Sequence, residues 1–216
     1  MIPLDRLLVS VTTRGNVSTE IVTAWQDLHE QHGVPLPVWS RGHLTACDAR
    51  NKLRSLALAG DYDALLMVDD DVRPDISVIR MAQLGKPLTA APVMIMHPDV
   101  NVPFFNIYFQ PKGEDGWLPH PGQFAAIGTG LERVDAVGFG AVAIRTDVLR
   151  TLPPFWLTLD AAGIAVRSED LPYCEMALKL GYEVWVDWNA RALHRPIVEL
   201  QELQERNALA FAKYQR

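Results

Sequence analysis

Cysteine is scarce: the chain of 216 residues has two, Cys47 and Cys174, far apart and without a C-x-x-C pairing. That excludes a disulfide framework and offers no zinc-type spacing, so both are expected as buried, reduced thiols. Long apolar runs are missing too, since no segment approaches the ~20 apolar residues that cross a bilayer. The opening MIPLDRLLVSVTTRG carries Asp5 and Arg6 inside its apolar stretch and suits a first strand better than a secretion signal. A cytoplasmic location is the expectation. Positive charge is not in excess either: 20 Lys+Arg face 26 Asp+Glu, a formal net charge of -6. No global basic field therefore concentrates nucleic acid, although a local basic groove stays open. No internal repeat is visible.

What is present is the composition of an ordinary globular protein, 49% hydrophobic and 21% charged, in a length that suits one domain. Residues 7–11 read as a buried strand. Val17, Ile21, Ala24, Trp25 and Leu28 then recur at helical spacing until Gly33 can end the helix. Residues 48–59 have the length and propensity of a second helix, closed by Gly60. Residues 64–68 are continuously apolar, the pattern of a strand covered on both faces, and run straight into Asp69-Asp70-Asp71. Asp75 can cap a helix whose face holds Ile76, Ile79 and Leu84.

Residues 88–95 are a further strand candidate, whereas 97–131, rich in proline and glycine, reads as irregular or short-stranded and lies over the site in this reading. Residues 134–144 read as one strand with Gly138 and Gly140 inside it, marking a bend or a close approach. Thr146 can cap a short helix. Ser168 can cap a longer one, with Pro172 in its first turn and Leu171, Cys174, Ala177 and Leu178 as its stripe before Gly181. Residues 182–186 are a last strand and 197–214 a C-terminal helix. Strands alternating with helices early in the chain argue for a parallel, covered sheet of the α/β class. Ligands of such sheets bind beyond the carboxyl ends of the strands, where the acidic run falls.

Three adjacent carboxylates repel one another and need a counter-cation unless they spread into solvent; an all-oxygen cluster prefers a hard ion, Mn²⁺ or Mg²⁺. Side chains alternate along an extended segment, so Asp69 and Asp71 are expected on one side as the working pair, with Asp70 on the other. A cation held there can bridge the phosphates of a nucleotide diphosphate and neutralise its charge as it leaves. The same run also reads as an acidic strand-to-helix turn. Glu169 and Asp170 fall in the first turn of a helix, where the dipole favours carboxylates in any case.

The string LLMVDDDVRPD resembles the acidic D-x-D strand of glycosyltransferases with the GT-A fold, especially family 2. Three further stretches follow the order of that family: SVTTRG at the end of the first strand, ARNKLRSLALAGDYDALLMVDDD through the acidic run, and VDAVGFGAVAIRTDVLRTLPPFW on the acceptor side. The segment SEDLPYCEMALKLGYEVWVDWNARALH resembles its Glu-Asp helix, glycine, strand and closing histidine. The resemblance covers about residues 5–195 and leaves the proline-rich middle and the C-terminal helix unmatched.

It implies a single α/β domain over 1–216, with a mixed, mostly parallel Rossmann-like sheet flanked by helices: a nucleotide-binding half to about residue 95, an acceptor-side half over 96–195, and a C-terminal helix. It implies transfer of a sugar from a nucleotide-diphosphate sugar to an acceptor hydroxyl, with inversion. Thr12, Thr13, Arg14, Arg50, Asp69 and Asp70 would lie on the nucleotide side, although a Thr-Thr-Arg-Gly turn and a helical arginine need no ligand. Asp71 would be the main metal ligand, joined by Asp69 and by His194, which is alternatively a pyrophosphate donor. Asp170 would be the general base and Glu169 its alternate. Gly138 to Gly140 would admit a sugar or acceptor. The acceptor stays open between a small molecule, a glycan, a protein and a modified nucleic-acid base. Two alternatives stand beside this reading: a sugar-phosphate nucleotidyltransferase, which usually carries a glycine-rich basic loop, and a non-catalytic binder of sugar or nucleotide.

Overall fold

The computed structural model describes residues 1–13, 15, 17–42, 45–96, 103–109, 118, 119, 129–163 and 165–194. β1 (Leu7–Thr13) is buried along its whole length. α1 (Thr19–His32) begins where Ser18 Oγ accepts from the Ile21 N–H and ends at Gly33, whose φ of 66° is left-handed. β2 (Val38–Arg41) is an edge strand with no period-2 burial signal to announce it. α2 (Ala46–Ala59) starts two residues ahead of its expected position, because the Asp48 carboxylate accepts from the Thr45 N–H at 3.3 Å and so belongs to the first turn. β3 (Ala64–Asp69) is followed by a turn at Asp70 and Asp71, by β4 (Val72–Pro74), and by α3 (Ile76–Gln83), which Asp75 caps by accepting from Ser77 N–H at 2.7 Å.

Several later expectations change. The strand expected over 88–95 is two, β5 (Leu88–Ala90) and β6 (Met94–Met96), since Pro92 has no N–H to continue a ladder. Short strands follow, in keeping with the irregular or short-stranded reading of this stretch: β7 (Pro103–Phe105), β8 (Ile107–Phe109) and β9 (Leu118–Pro119). The single strand expected over 134–144 is three segments, β10 (Leu131–Val134), β11 (Ala136–Val137) and β12 (Ala141–Arg145), with Gly138-Phe139-Gly140 turning between the last two. A side chain at Gly138 would overlap the Asn106 amide, so the chain can turn there only without one. α4 (Thr146–Thr151) has Arg145 at its cap position, while the Thr146 hydroxyl donates to Tyr62 O at 2.7 Å instead. After the hairpin β13 (Thr158–Leu159) and β14 (Ala165–Arg167), α5 (Asp170–Lys179) takes Glu169, not Ser168, as its cap residue. β15 (Val184–Asp187) and β16 (Ala192–His194) complete the described part. α3 buries Ile79 of the expected face together with Val78, Met81 and Ala82, and packs Ile76 partly against the core, whereas Leu84 is exposed. The C-terminal helix expected over 197–214 lies outside the described residues.

Seven strands form the central sheet in the order β10-β15-β5-β12-β3-β1-β2. β1 is parallel to β2 and β3, and β5 to β15; β12 runs antiparallel to β3 and β5, and β10 to β15. Five of the seven therefore share one direction, a mostly parallel α/β sheet. Period-2 alternation divides its side chains between two apolar layers. Leu8, Leu65, Met67 and Ile144 pack with α2, α4 and α5 on one face; Leu7, Val9, Leu66 and Val68 pack with α1 and α3 on the other. Each such side chain contributes about 1.5–3 kcal/mol on full burial. A sheet so covered can carry unfavourable charge at its ends. Cys47 and Cys174 are both free and buried in this core, as expected. No helix among the described residues is long and apolar enough to cross a membrane.

Candidate active site

A cavity of about 450 Å³ opens at the carboxyl ends of β1 and β3. The backbone holds its acidic floor from both sides: Asp69 N–H donates to Gly140 O at 2.9 Å and Asp70 N–H to Thr12 O at 3.0 Å. Because β3 ends at Asp69, strict alternation does not extend through the run. The three carboxylates go to three different partners. Asp69 accepts from Arg50 Nη2 with both oxygens, at 2.9 and 3.1 Å. Asp70 accepts from the Thr13 hydroxyl at 2.7 Å, which ties it to β1. Asp71 faces His194 Nε2 at 3.4 Å. The last contact is a product of register: β16 pairs antiparallel with β4 so that His194 lies opposite Val72, one residue past Asp71.

Arg50 is the buried hub of the site, with a side chain 6% exposed. Besides Asp69 it pairs through Nη1 with Glu169, itself 5% exposed, and donates to Phe139 O at 3.3 Å. It joins α2, β3, the glycine turn and the start of α5. A buried pair of this kind is costly to break, since removing one partner strands the other charge. Loss of solvent raises the Asp69 carboxyl above its ordinary range; Arg50 opposes this, and Asp71 and Asp70 add to it. The hydrogen bond to Asp71 raises the His194 imidazole, against its partial burial.

Glu169 and Asp170, adjacent in sequence, differ in their surroundings. Asp170 accepts from the Ser168 hydroxyl and from Leu171 N–H at 2.9 Å, and it has no cationic partner among the described residues. Thr12, also on the wall, has a buried hydroxyl with no hydrogen-bond partner among the described residues. Arg14 lies outside the described residues. All the other site residues expected from sequence line this cavity.

The donor set bears on a metal. Among the described residues no group of three His, Cys, Asp or Glu side chains is gathered closely enough to hold an ion alone. Asp69 gives both oxygens to Arg50, so a ligand role for it would be shared with that ion pair. Asp71 and His194 do fit a hard cation whose shell is completed by water and substrate phosphates, the usual way Mg²⁺ is bound. Charge favours such an ion: the described wall has five carboxylates, Asp69, Asp70, Asp71, Glu169 and Asp170, against one guanidinium. A diphosphate entering that field needs added positive charge.

No protein-family model matches the chain, and no curated protein matches it. Solved structures do. The crystal structure of A197 from STIV is 16% identical, with 88% of this chain and 86% of that one covered and a TM-score of 0.56. GalNAc-T7 with UDP, GalNAc and Mn²⁺ is 12% identical over 89% of this chain, at a TM-score of 0.48; the chain spans 38% of its length. The inositol-1-phosphate CTP transferase from T. maritima is 11% identical, covering 92% and 75%, at a TM-score of 0.38. The likeness to A197, at 16% identity, is one of fold.

Among the wall residues not anticipated from sequence are two with polar side chains on one short stretch, Asn106 and Tyr108. They come from the proline-rich middle, where no period or motif marks them. Their signal is tertiary: Asn106 N–H donates to Val93 O at 3.0 Å and Gly138 N–H donates to Asn106 O at 2.7 Å.

Proposed function

We propose that the chain, read as a single domain, is a glycosyltransferase of the GT-A type that moves a sugar from a nucleotide-diphosphate sugar to an acceptor hydroxyl. The observation that carries this reading is the unequal treatment of Glu169 and Asp170. Arg50 ties Glu169 down, and Asp170 stays unpaired by any described cation in the same cavity as the acidic run. A carboxylate so placed suits a general base, and Glu169, first considered as its alternate, suits a structural anchor.

In this reading Thr12, Thr13, Arg14 and the Asp69–Asp70 corner form the nucleotide side, with Arg50 holding Asp69 in place. Asp71 and His194 would hold Mn²⁺ or Mg²⁺, which when bound supplies the positive charge that a departing diphosphate requires. Asp170 takes the proton of the acceptor hydroxyl as that oxygen bonds to the anomeric carbon. The carbon–oxygen bond to the diphosphate breaks on the opposite face, and its electron pair leaves with the diphosphate. A single base opposite the leaving group is the arrangement of one displacement with inversion.

The test is release of nucleoside diphosphate from a panel of nucleotide-sugars, with and without Mn²⁺. Metal-stimulated release from one donor is expected, and Asp71→Ala should lose the stimulation with little change in melting temperature. Donor binding without release, across a panel of acceptors, would leave a binding protein of the same fold.

A further inference from the structure

Asn106 is 5% exposed, lines the cavity, and has a side chain whose orientation is decided by its neighbours. The Val93 N–H can only donate, so the amide atom 3.2 Å from it is the acceptor Oδ1. Nδ2 is thereby turned to the side of Gly138, where it meets no acceptor among the described residues. An amide nitrogen on a cavity wall keeps two N–H groups for a ligand or water to accept from. Gly138 has no Cβ to cover it.

Tyr108 stands two residues on, on the same wall, and its hydroxyl likewise has no partner among the described residues. Burial, helped by the negative charge of Asp170, pushes its phenol up to about 12, so it keeps its proton and can donate. The two residues connect the ends of the cavity. Asn106 reaches the acidic floor through the Gly138–Gly140 turn, whose Gly140 O accepts from Asp69 N–H, while Tyr108 shares the cavity with Asp170 and feels its charge. The sugar being transferred must lie between the diphosphate and the base.

We infer that Asn106 Nδ2 and the Tyr108 hydroxyl form a recognition strip for the hydroxyl groups of the transferred sugar, so that this wall selects the donor's carbohydrate. The inference rests on the glycosyltransferase reading above. Neutral donors side by side suit an uncharged polyol; a phosphate would call for a cation, and neither residue supplies one.

The experiment measures dissociation constants, with Mn²⁺, for UDP and GDP and for UDP-glucose, UDP-galactose, UDP-N-acetylglucosamine and GDP-mannose. The readout is the ratio of each nucleotide-sugar constant to that of its parent diphosphate. Tyr108→Phe removes only the hydroxyl. Asn106→Asp keeps an oxygen for Val93 N–H and replaces the donor by an acceptor; its added charge acts on every phosphate ligand and cancels in the ratio. In each variant the ratio for the preferred donor should rise about five- to tenfold, the scale of one lost hydrogen bond. If Asn106→Asp does not fold, Tyr108→Phe decides alone. Unchanged ratios would overturn the strip while the transferase reading stands. A wild-type protein that binds the diphosphates but prefers no nucleotide-sugar overturns the strip as well, and one that binds none of the six overturns the transferase reading with it.

Discussion

Two cavities of nearly equal size lie among the described residues, at opposite ends of the sheet. The one at the carboxyl ends of β1 and β3 measures about 450 Å³, and the other, between Arg6 and α4, about 440 Å³. Both are lined by arginine and aspartate. In the second, three arginines, Arg6, Arg145 and Arg150, stand against three aspartates, Asp61, Asp63 and Asp147. Arg6 pairs with Asp61 and, at 2.6 Å, with Asp63; Arg145 pairs with Asp147, all at partly or fully exposed side chains. In the first, five carboxylates share one guanidinium that water hardly reaches. Size does not separate them. Uncompensated charge in a desolvated place does, because it persists only where something else returns the cost.

Substitutions sharpen the contrast, the largest effect first. Arg50→Met strands Asp69 and Glu169 as unpaired carboxylates, a loss of about 3–5 kcal/mol. For a chain of this size the melting temperature should fall by on the order of 10 °C. A calorimetric scan showing a shift of only a degree or two would mean that Arg50 is not the hub. Asp170→Asn touches no ion pair, so stability should hold while transfer drops by about 10²–10⁴-fold with donor binding intact. An active Asp170→Asn enzyme would remove Asp170 as the base. At the second cavity, Arg6→Ala should change stability least, and the difference should shrink further in high salt, as exposed pairs do. A loss there rivalling that of Arg50→Met would break the comparison.

Legibility in the sequence follows the range of the interaction. α1 was readable as far as Gly33 because its apolar period and its left-handed stop are local, while its Ser18 cap came from the structure. β3 and the acidic run were readable because a strand covered on both faces is apolar without interruption. The split of 134–144 was not, because it depends on Asn106 approaching Gly138 from a part of the chain that carries no motif. The split of 88–95 follows from Pro92, a local signal that the apolar run around it masks. His194 was picked out by resemblance alone, and its place beside Asp71 follows from the β4–β16 register, which three-residue strands do not announce.

The amino-acid order by itself determined the α/β class, the central strands, and which acidic residues stand at their ends, since apolar period and helix punctuation act within a few residues. Only the tertiary structure decided what those acids do. The ion pairs that hold Asp69 and Glu169, and thereby set Asp70, Asp71 and Asp170 apart, join residues distant in sequence. Their energies depend on burial, and burial exists only once the sheet and helices have closed around Arg50.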